Sequence, residues 1–525
     1  MGNNFNLRLN EYKNDIINSK KYWIIYLILI SIAFFSLFDV KNYVHPKMEI
    51  LIFILSAIFG VFFIGFYQGH RNDKDFYKTA FIIIFIIGIA FSFLTPIMCT
   101  HDEVEHFVRA EITSNGILFP EYDETAPFTM DGVKHDGRFL TIQSTLDLAE
   151  KGKAKISYDF MDMVNSSVFN TEADTLPINA TQVPFFSAFA QNPFYGYIAS
   201  AIGIGIAKLL DLNAIWLLWL GRIFNALVYA LLVSYAIKKT PILKMPLFVV
   251  ACIPAALSQA ASVSIDPLIN GLAILSIAYF LVLYKSPKKS LDYKPIIKFS
   301  VLILLLGLCK VTYFSFIFLI LFVPIDNFKE KKYYYYGFVS IIILLAIMVL
   351  WSVFYVDPGV HHSSRSYYYT ANNVDTFKQI KYILSHKKDT IIHVFHLVGT
   401  FDNNLRCQSY FDTKFSSLYI LFLGSVFLLY PHERIKSKVK LGTLLVFAMI
   451  YFGTYLLFMV TWNPVGDLNL HGVQPRYFFP AYGLVPLFLG INHNDRDMTV
   501  IDNYVLVLTL AFIAIRIFTI AVMVY

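Results

Sequence analysis

In the run THDEVEHFVRAEITSNG, Asp102, His106 and Arg109 stand at i, i+4 and i+7, so a helix beginning at His101 places them on one face. Val104, Phe107, Val108 and Ile112 fall on the other, a pattern suited to a membrane surface with the polar face turned to water or to a site. A carboxylate among His and Arg is the constellation of a general base. Plainer roles fit the same residues: Thr100 with Glu103 matches the S/T-x-x-E capping box, and Asp102 lies where an acid favours the helix dipole. Glu103 and His106 also have the i, i+3 spacing of carboxylate-bridged metal sites, but no second pair of that kind is visible, so a divalent metal is not favoured and no cofactor is expected.

Further polar residues lie within or beside apolar runs, where ionisable groups are costly: Arg222 after Trp219, Asp266 in SVSIDPLIN, Lys310 in GLCKVTYF, and Gln474 and Arg476 in HGVQPRYFFP. Taken singly, Arg222 and Arg476 could snorkel to a boundary, and Asp266 could cap a helix ahead of Pro267. Taken together, basic groups beside one acidic cluster describe a phosphate site facing a base. The stretch from Asp357 to Ser416 carries His361, His362, Arg365 and Tyr367 to Tyr369, followed by FDNNLRCQSYFD, and suits contact with a sugar or with the membrane interface.

The elements that must hold these residues are membrane helices. Of 525 residues, 57% are apolar, 15% are charged and 17% are aromatic, and the mean hydropathy is +0.58, which excludes an ordinary soluble enzyme, a disordered chain and a collagen-like fibre. The net charge of +7 comes from short Lys clusters between apolar runs, a topology signal rather than a nucleic-acid face. Cys99, Cys252, Cys309 and Cys407 form no CxxC pair, so neither a disulfide framework nor a zinc site is indicated. No internal repeat is visible.

Spans of roughly 20 apolar residues are expected at Tyr22 to Phe38, Glu49 to Tyr67, Ala80 to Met98, Ile215 to Ile237, Pro246 to Ser262, Pro267 to Tyr284, Phe299 to Pro324, Tyr333 to Val356, Leu418 to Tyr430, Leu441 to Val460, Tyr477 to Ile491 and Tyr504 to Met523. The first is expected to be retained as an anchor. Lys and Arg mark the cytoplasmic side: Arg8 to Lys21, Arg71 to Lys78, Lys238 to Lys244, Lys285 to Lys298, Lys329 to Lys332, and Arg434 to Lys440. These assignments agree on two conditions. Pro193 to Leu210 must lie at the outer face without crossing, and Phe299 to Pro324 must enter and return as two half-length helices broken near Lys310.

Three parts follow: residues 1–79, a cytoplasmic tail and two additional crossings; residues 80–324, a module carrying the extracytoplasmic loop 99–192; and residues 325–525, with extracytoplasmic loops 357–417 and 461–475. Every cytoplasmic loop is short, there is no GxxxxGK loop, and Gly203-Ile204-Gly205 lacks a third glycine. An activated group is therefore expected at the outer face, with a membrane lipid as its carrier.

The ordered set HDEVEHFVRA, Asn192-Pro193-Phe194-Tyr195, GRIFNAL, IPAALSQAASVSIDPLIN, GLCKVTYF and TWNPVGDLNLHGVQPRYFFP resembles a bacterial multi-pass family catalogued as a domain of unknown function and related to the GT-C glycosyltransferases. Pro193-Phe194 replaces that family's usual double proline, and Pro475 replaces a glycine. The resemblance implies an all-α, GT-C-like fold of about 11 to 13 transmembrane helices. It implies a polyprenyl-phosphate-linked sugar as donor, a cell-envelope glycan or polymer as acceptor, and a plasma-membrane protein with its active site outside. Carried onto this chain, Asp102 or Glu103 is the catalytic base. His106 and Arg109, with Gln474 and Arg476, match the family's motif, and together with Asn192, Arg222, Asp266 and Lys310 they are the expected substrate-binding residues. A transporter or flippase of lipid-linked saccharides is the alternative, and a non-catalytic envelope scaffold a third reading.

Overall fold

The computed structural model describes residues 2–38, 46–72, 74–120, 128–130, 133–135, 139–152, 171–185, 189, 191–356, 364–399, 413–469, 472–491 and 498–524. Long apolar runs become helices because only a helix satisfies its own backbone without water. In chain order these are α1 (Gly2–Asn18), α2 (Lys20–Phe38), α3 (Pro46–His70), α4 (Phe76–Leu94) and α5 (Glu103–Ser114). Next come the strands β1 (Phe128–Met130), β2 (Val133–His135) and β3 (Phe139–Ile142), then α6 (Gln143–Lys151) and β4 (Gln182–Phe185). β1 pairs with β2 and β3 with β4, both antiparallel, so the all-α expectation is corrected within the first loop. The chain continues through α7 (Ile198–Leu209), α8 (Ile215–Lys239), α9 (Lys244–Ala251), α10 (Pro254–Ala260), α11 (Asp266–Lys285) and α12 (Tyr293–Cys309). After a 3-10 helix (Val311–Phe322) come α13 (Lys331–Trp351), α14 (Ser364–Ala371), α15 (Thr376–Ser385), α16 (Lys387–Gly399), α17 (Thr413–Leu429), α18 (Ser437–Thr461), α19 (Phe479–Tyr482), α20 (Val485–Leu489) and α21 (Thr499–Val524).

Among the described residues, eight helices are long and apolar enough to cross a membrane: those at α2, α3, α4, α8, α11, α13, α18 and α21. The other four expected crossings are built from shorter pieces. Pro254 ends one helix and starts the next, splitting Pro246 to Ser262 into α9 and α10. Pro475, Pro480 and Pro486 divide the last loop and span into a 3-10 turn, α19 and α20. The α17 helix has 17 residues. The helix α7, with 12 residues, rises only about 18 Å, too little to cross, and lies against α5 and α8. Of the glycine pair, Gly203 has a packing reason: a Cβ there would meet the Leu220 carbonyl oxygen at 2.3 Å, so glycine permits a close helix crossing, whereas Gly205 faces open space.

The segment Phe299 to Pro324 turns back on itself. Lys310 is extended between α12 and the 3-10 helix, and the two legs pack together. Their far ends are joined, with the Lys289 N–H donating to Asp326 O (2.8 Å) and the Lys329 N–H to Leu291 O (2.8 Å). The hairpin therefore starts and finishes at one end of the bundle, with Lys310 at its tip. Its legs are not half-length. Seventeen residues of α-helix rise about 26 Å. Twelve residues of 3-10 helix rise about 24 Å, so each leg approaches the roughly 30 Å of a hydrocarbon core. Gly307 lets the legs close, since a Cβ there would fall 2.5 Å from the Phe314 ring.

The Lys clusters gather where the hairpin starts and ends. Lys238 lies over Tyr77, Lys285 pairs with Glu433 at 2.6 Å, the Lys436 N–H donates to Tyr284 Oη, and Lys440 Nζ donates to Gly490 O. The polar residues singled out in the sequence lie at the opposite helix ends: Asp102 beyond α4, Asp266 at the head of α11, Lys310 at the hairpin tip, and Arg476 beyond α18. His361, His362 and FDNNLRCQSYFD lie outside the described residues.

Candidate functional site

The helix α5 begins at Glu103, not at His101. Asp102 stands just before it in the left-handed region (φ 59°), a conformation costing about 1 kcal/mol or more but tolerated best by Asp and Asn among side-chain-bearing residues. Half of the capping box forms: the Thr100 N–H donates to Glu103 Oε2 at 3.4 Å, while Thr100 Oγ1 finds no partner. The left-handed step sends two neighbouring carboxylates in different directions.

Glu103 points into the core, onto Arg222. Arg222 Nε donates to Glu103 Oε1 (2.8 Å) and Nη2 to Oε2 (2.6 Å). Nη1 donates to Ser92 O and Thr95 O, and Nη2 also to Pro96 O. A guanidinium has five N–H donors, and all five are used within the protein. Glu103 Oε1 accepts the Val263 N–H as well (2.9 Å), and both side chains are 0% exposed. The pair ties the end of α4 to α5, α8 and the turn before α11. It leaves Arg222 no donor for a phosphate and gives Glu103 no access to an acceptor, so their expected catalytic and binding roles become a bracing role.

Asp102 points the other way, onto Arg476, 374 positions along the chain. Arg476 Nη2 donates to Asp102 Oδ2, and Nη1 donates to Asp266 Oδ2 (3.1 Å) and His101 O (3.0 Å). Gln259 Nε2 donates to the same Asp266 oxygen at 2.9 Å. The Asp102 side chain is 36% exposed, against 14% for Asp266 and 7% for Arg476. Arg476 Nε is buried without a hydrogen-bond partner, as is Gln474 Oε1. Lys310 Nζ lies 2.8 Å from the centroid of the Tyr477 ring, and Arg476 Cζ lies 5.4 Å from it, so one ring touches both cations. Tyr313 Oη donates to Tyr477 O (2.9 Å) and Tyr195 Oη to Leu305 O (2.7 Å), which moors the hairpin tip to the late loop and to the Asn192–Tyr195 motif.

Burial pushes the Asp102 carboxyl up, but Arg476, then His106 and His101, more than offset it and hold it below the ordinary carboxylate value. Burial and then the Arg476 charge hold His101 below the ordinary imidazole value. Burial would lower Arg476, but Asp266, Tyr477 and Asp102 hold it above its ordinary value. Asp102 and Arg476 are therefore both ionised across the physiological range.

His106, Arg109 and Asn192 form a separate layer around Tyr197. His106 Nδ1 meets Tyr197 Oη at 2.7 Å, and Asn192 Nδ2 donates to the same oxygen at 2.9 Å. Arg109 is spent on Thr113 Oγ1 (2.7 Å), Leu118 O (2.8 Å) and Asn192 O, with its guanidinium over the Tyr197 ring. Arg109 and Asn192 fix α5 away from Asp102, while His106 reaches Asp102 through its charge. Among the described residues, no group of three or more His, Cys, Asp or Glu is arranged to hold a metal. Glu103 and His106, the spacing that suggested one, face different partners.

Sequence reasoning missed His101, Gln259, Tyr313 and Tyr477. Only Tyr477 carried a signal, its place beside Arg476.

A family model described as a predicted membrane protein, DUF2142, matches residues 85–485, and the chain belongs to that family. No curated protein and no solved structure matches the chain.

Proposed function

We propose that this DUF2142 membrane protein is a glycosyltransferase that moves a sugar from a polyprenyl-phosphate-linked donor to a cell-envelope glycan or polymer, with inversion, at the outer face of the plasma membrane. The observation that carries the reading is the Asp102–Arg476 pair: a solvent-reachable carboxylate held against a buried arginine whose Nε has no hydrogen-bond partner. The outward orientation rests on the Lys clusters at the opposite end of the bundle.

In the resting site Asp102 is ionised and satisfied by Arg476, which makes it a weak base. A donor phosphate entering beside Arg476 Nε and Lys310 competes for the guanidinium. As that pairing loosens and a negative charge arrives, the Asp102 carboxyl rises toward a useful basicity. An acceptor hydroxyl then gives its proton to Asp102, its oxygen bonds to the anomeric carbon, and the carbon–oxygen bond to phosphate breaks with both electrons leaving on phosphate. No acid is needed for that leaving group, since prenyl phosphate departs as a stable anion, steadied by Arg476 and Lys310. Asp266, braced by Gln259, keeps Arg476 aimed while Asp102 lets go.

The alternative, a transporter of lipid-linked saccharides, draws on the broken helices at Lys310 and Pro254. Its charges would be expected midway along the spans, whereas these sit at helix ends.

The test is Asp102→Asn in purified protein reconstituted with a synthetic prenyl-phosphate-linked hexose and an envelope glycan fraction, reading release of prenyl phosphate. Release should fall about a hundredfold. Equal release by parent and variant overturns the assignment of the base. Movement of intact donor across the bilayer, with no release, favours the transporter.

A further inference from the structure

The loop between α13 and α17 carries apolar side chains where a soluble loop would not. On α15, Phe377 is 86% exposed and Leu384 60%, with Ile380 beside them. At i, i+3 and i+7 these three share one face. Lys378 and Lys381, both exposed, flank that stripe on one side. On α16, Ile391, Ile392 and Phe395 are likewise exposed, Phe395 at 71%. Across the two helices and the α15 cap there are four lysines against two aspartates, Asp389 and Asp375, and Asp375 pairs with Lys378 at 2.9 Å while leaving that lysine largely exposed.

The opposite face of α15 is anchored. Gln379, 0% exposed, takes the Gly466 N–H on Oε1 (2.8 Å) and donates from Nε2 to Asp467 O (2.7 Å). The same element packs against α18, and Tyr368 of α14 stacks on Trp462 at a centroid distance of 4.6 Å. The pair α15–α16 is therefore seated at the site end of a membrane-crossing helix. Its apolar face is turned outward at the level where that crossing ends.

We propose that α15 and α16 form a pair of consecutive interfacial helices that lies in the headgroup layer on the site side, with Phe377, Leu384 and Phe395 entering the acyl boundary and Lys378 and Lys381 meeting anionic lipid phosphates. Three observations commit the face to lipid. The apolar stripe has lysines at its edge, the arrangement by which surface helices bind anionic membranes. The helix that α15 packs against, α18, is itself apolar on its exposed side, with Leu441, Leu444, Leu445 and Leu456 exposed. The buried side is already taken by Gln379, which fixes which face is free. Through Gln379, α15 also holds the turn at 466–467, in the same loop that delivers Arg476, so seating it in lipid fixes the height of the late loop above the bilayer. This inference does not depend on the reaction proposed above.

The full chain in nanodiscs of phosphatidylethanolamine and phosphatidylglycerol tests it. Phe377→Cys, Phe395→Cys and, as a water-facing control, Ala180→Cys are made singly at exposed positions, with peptide-resolved mass spectrometry keeping the native thiols apart. A membrane-impermeant sulfonated maleimide should label positions 377 and 395 about tenfold more slowly than position 180, while a lipid-soluble maleimide labels them readily. Adding Lys378→Gln and Lys381→Gln should weaken the protection in these discs and change it little in phosphatidylcholine discs. Labelling by the aqueous reagent at the control rate overturns the proposal. So does protection from both reagents, which would mean that a protein covers the face. An unchanged result with the lysine pair replaced overturns the anionic-headgroup contact.

Discussion

Two arginine–carboxylate pairs begin at adjacent residues and end as opposites. Glu103 with Arg222 is sealed, both side chains 0% exposed and every guanidinium hydrogen placed, whereas Asp102 with Arg476 is open on the acid and unfinished on the base. One step of left-handed backbone at Asp102 separates them. The difference shows that charge type and spacing alone do not mark a reactive group. A satisfied ion pair in the core holds elements together, and an incompletely satisfied one at a boundary has something left to offer a ligand.

The sharpest way to break this contrast is to open the sealed pair. Arg222→Met or Glu103→Gln leaves a buried charge without its counterpart and should cost about 3–5 kcal/mol, read as loss of monodisperse protein and a lowered unfolding midpoint. Arg222→Lys should not rescue it, because three donors replace five. The open pair should respond differently: Asp102→Asn should fold with a midpoint near the parent's while losing about a hundredfold in prenyl-phosphate release. Lys310→Met should reduce release roughly tenfold with the fold intact, the size of one charge-assisted contact.

The smallest effect is in pH. Burial raises the Asp102 carboxyl but Arg476 outweighs it, so the folded value lies below the unfolded one. The pair's stabilisation is therefore complete above the ordinary carboxylate value and lost only as pH falls through the lower, folded value. The difference in midpoint between parent and Asp102→Asn should stay constant from pH 7 to about 5 and close at more acidic pH.

Much of the architecture was legible because lipid imposes strong rules. Lys-rich flanks on both sides of Phe299 to Pro324 called for a return, and the joined ends at Lys289 and Lys329 supply it. The winding of the second leg was not legible. Its buried residues recur every third position, Tyr313, Phe316 and Leu319 beside Phe314, Ile317 and Ile320, a period that a uniformly apolar string of Phe, Ile and Leu hides. The polar site was half visible. Asp102, Asp266, Lys310 and Arg476 are expensive near a membrane and stood out for that reason. What separated them from Glu103, Arg222 and Arg109 was where each side chain turns. A single positive φ decides that at Asp102, and no neighbouring residue type announces it.

The 3-10 leg also makes reach a property of winding. Rewound as an α-helix, its twelve residues would be about 6 Å shorter, more than an ion pair can stretch. The height at which Lys310 stands beside Tyr477 is thus set by the pitch of a backbone coil rather than by the length of its own side chain.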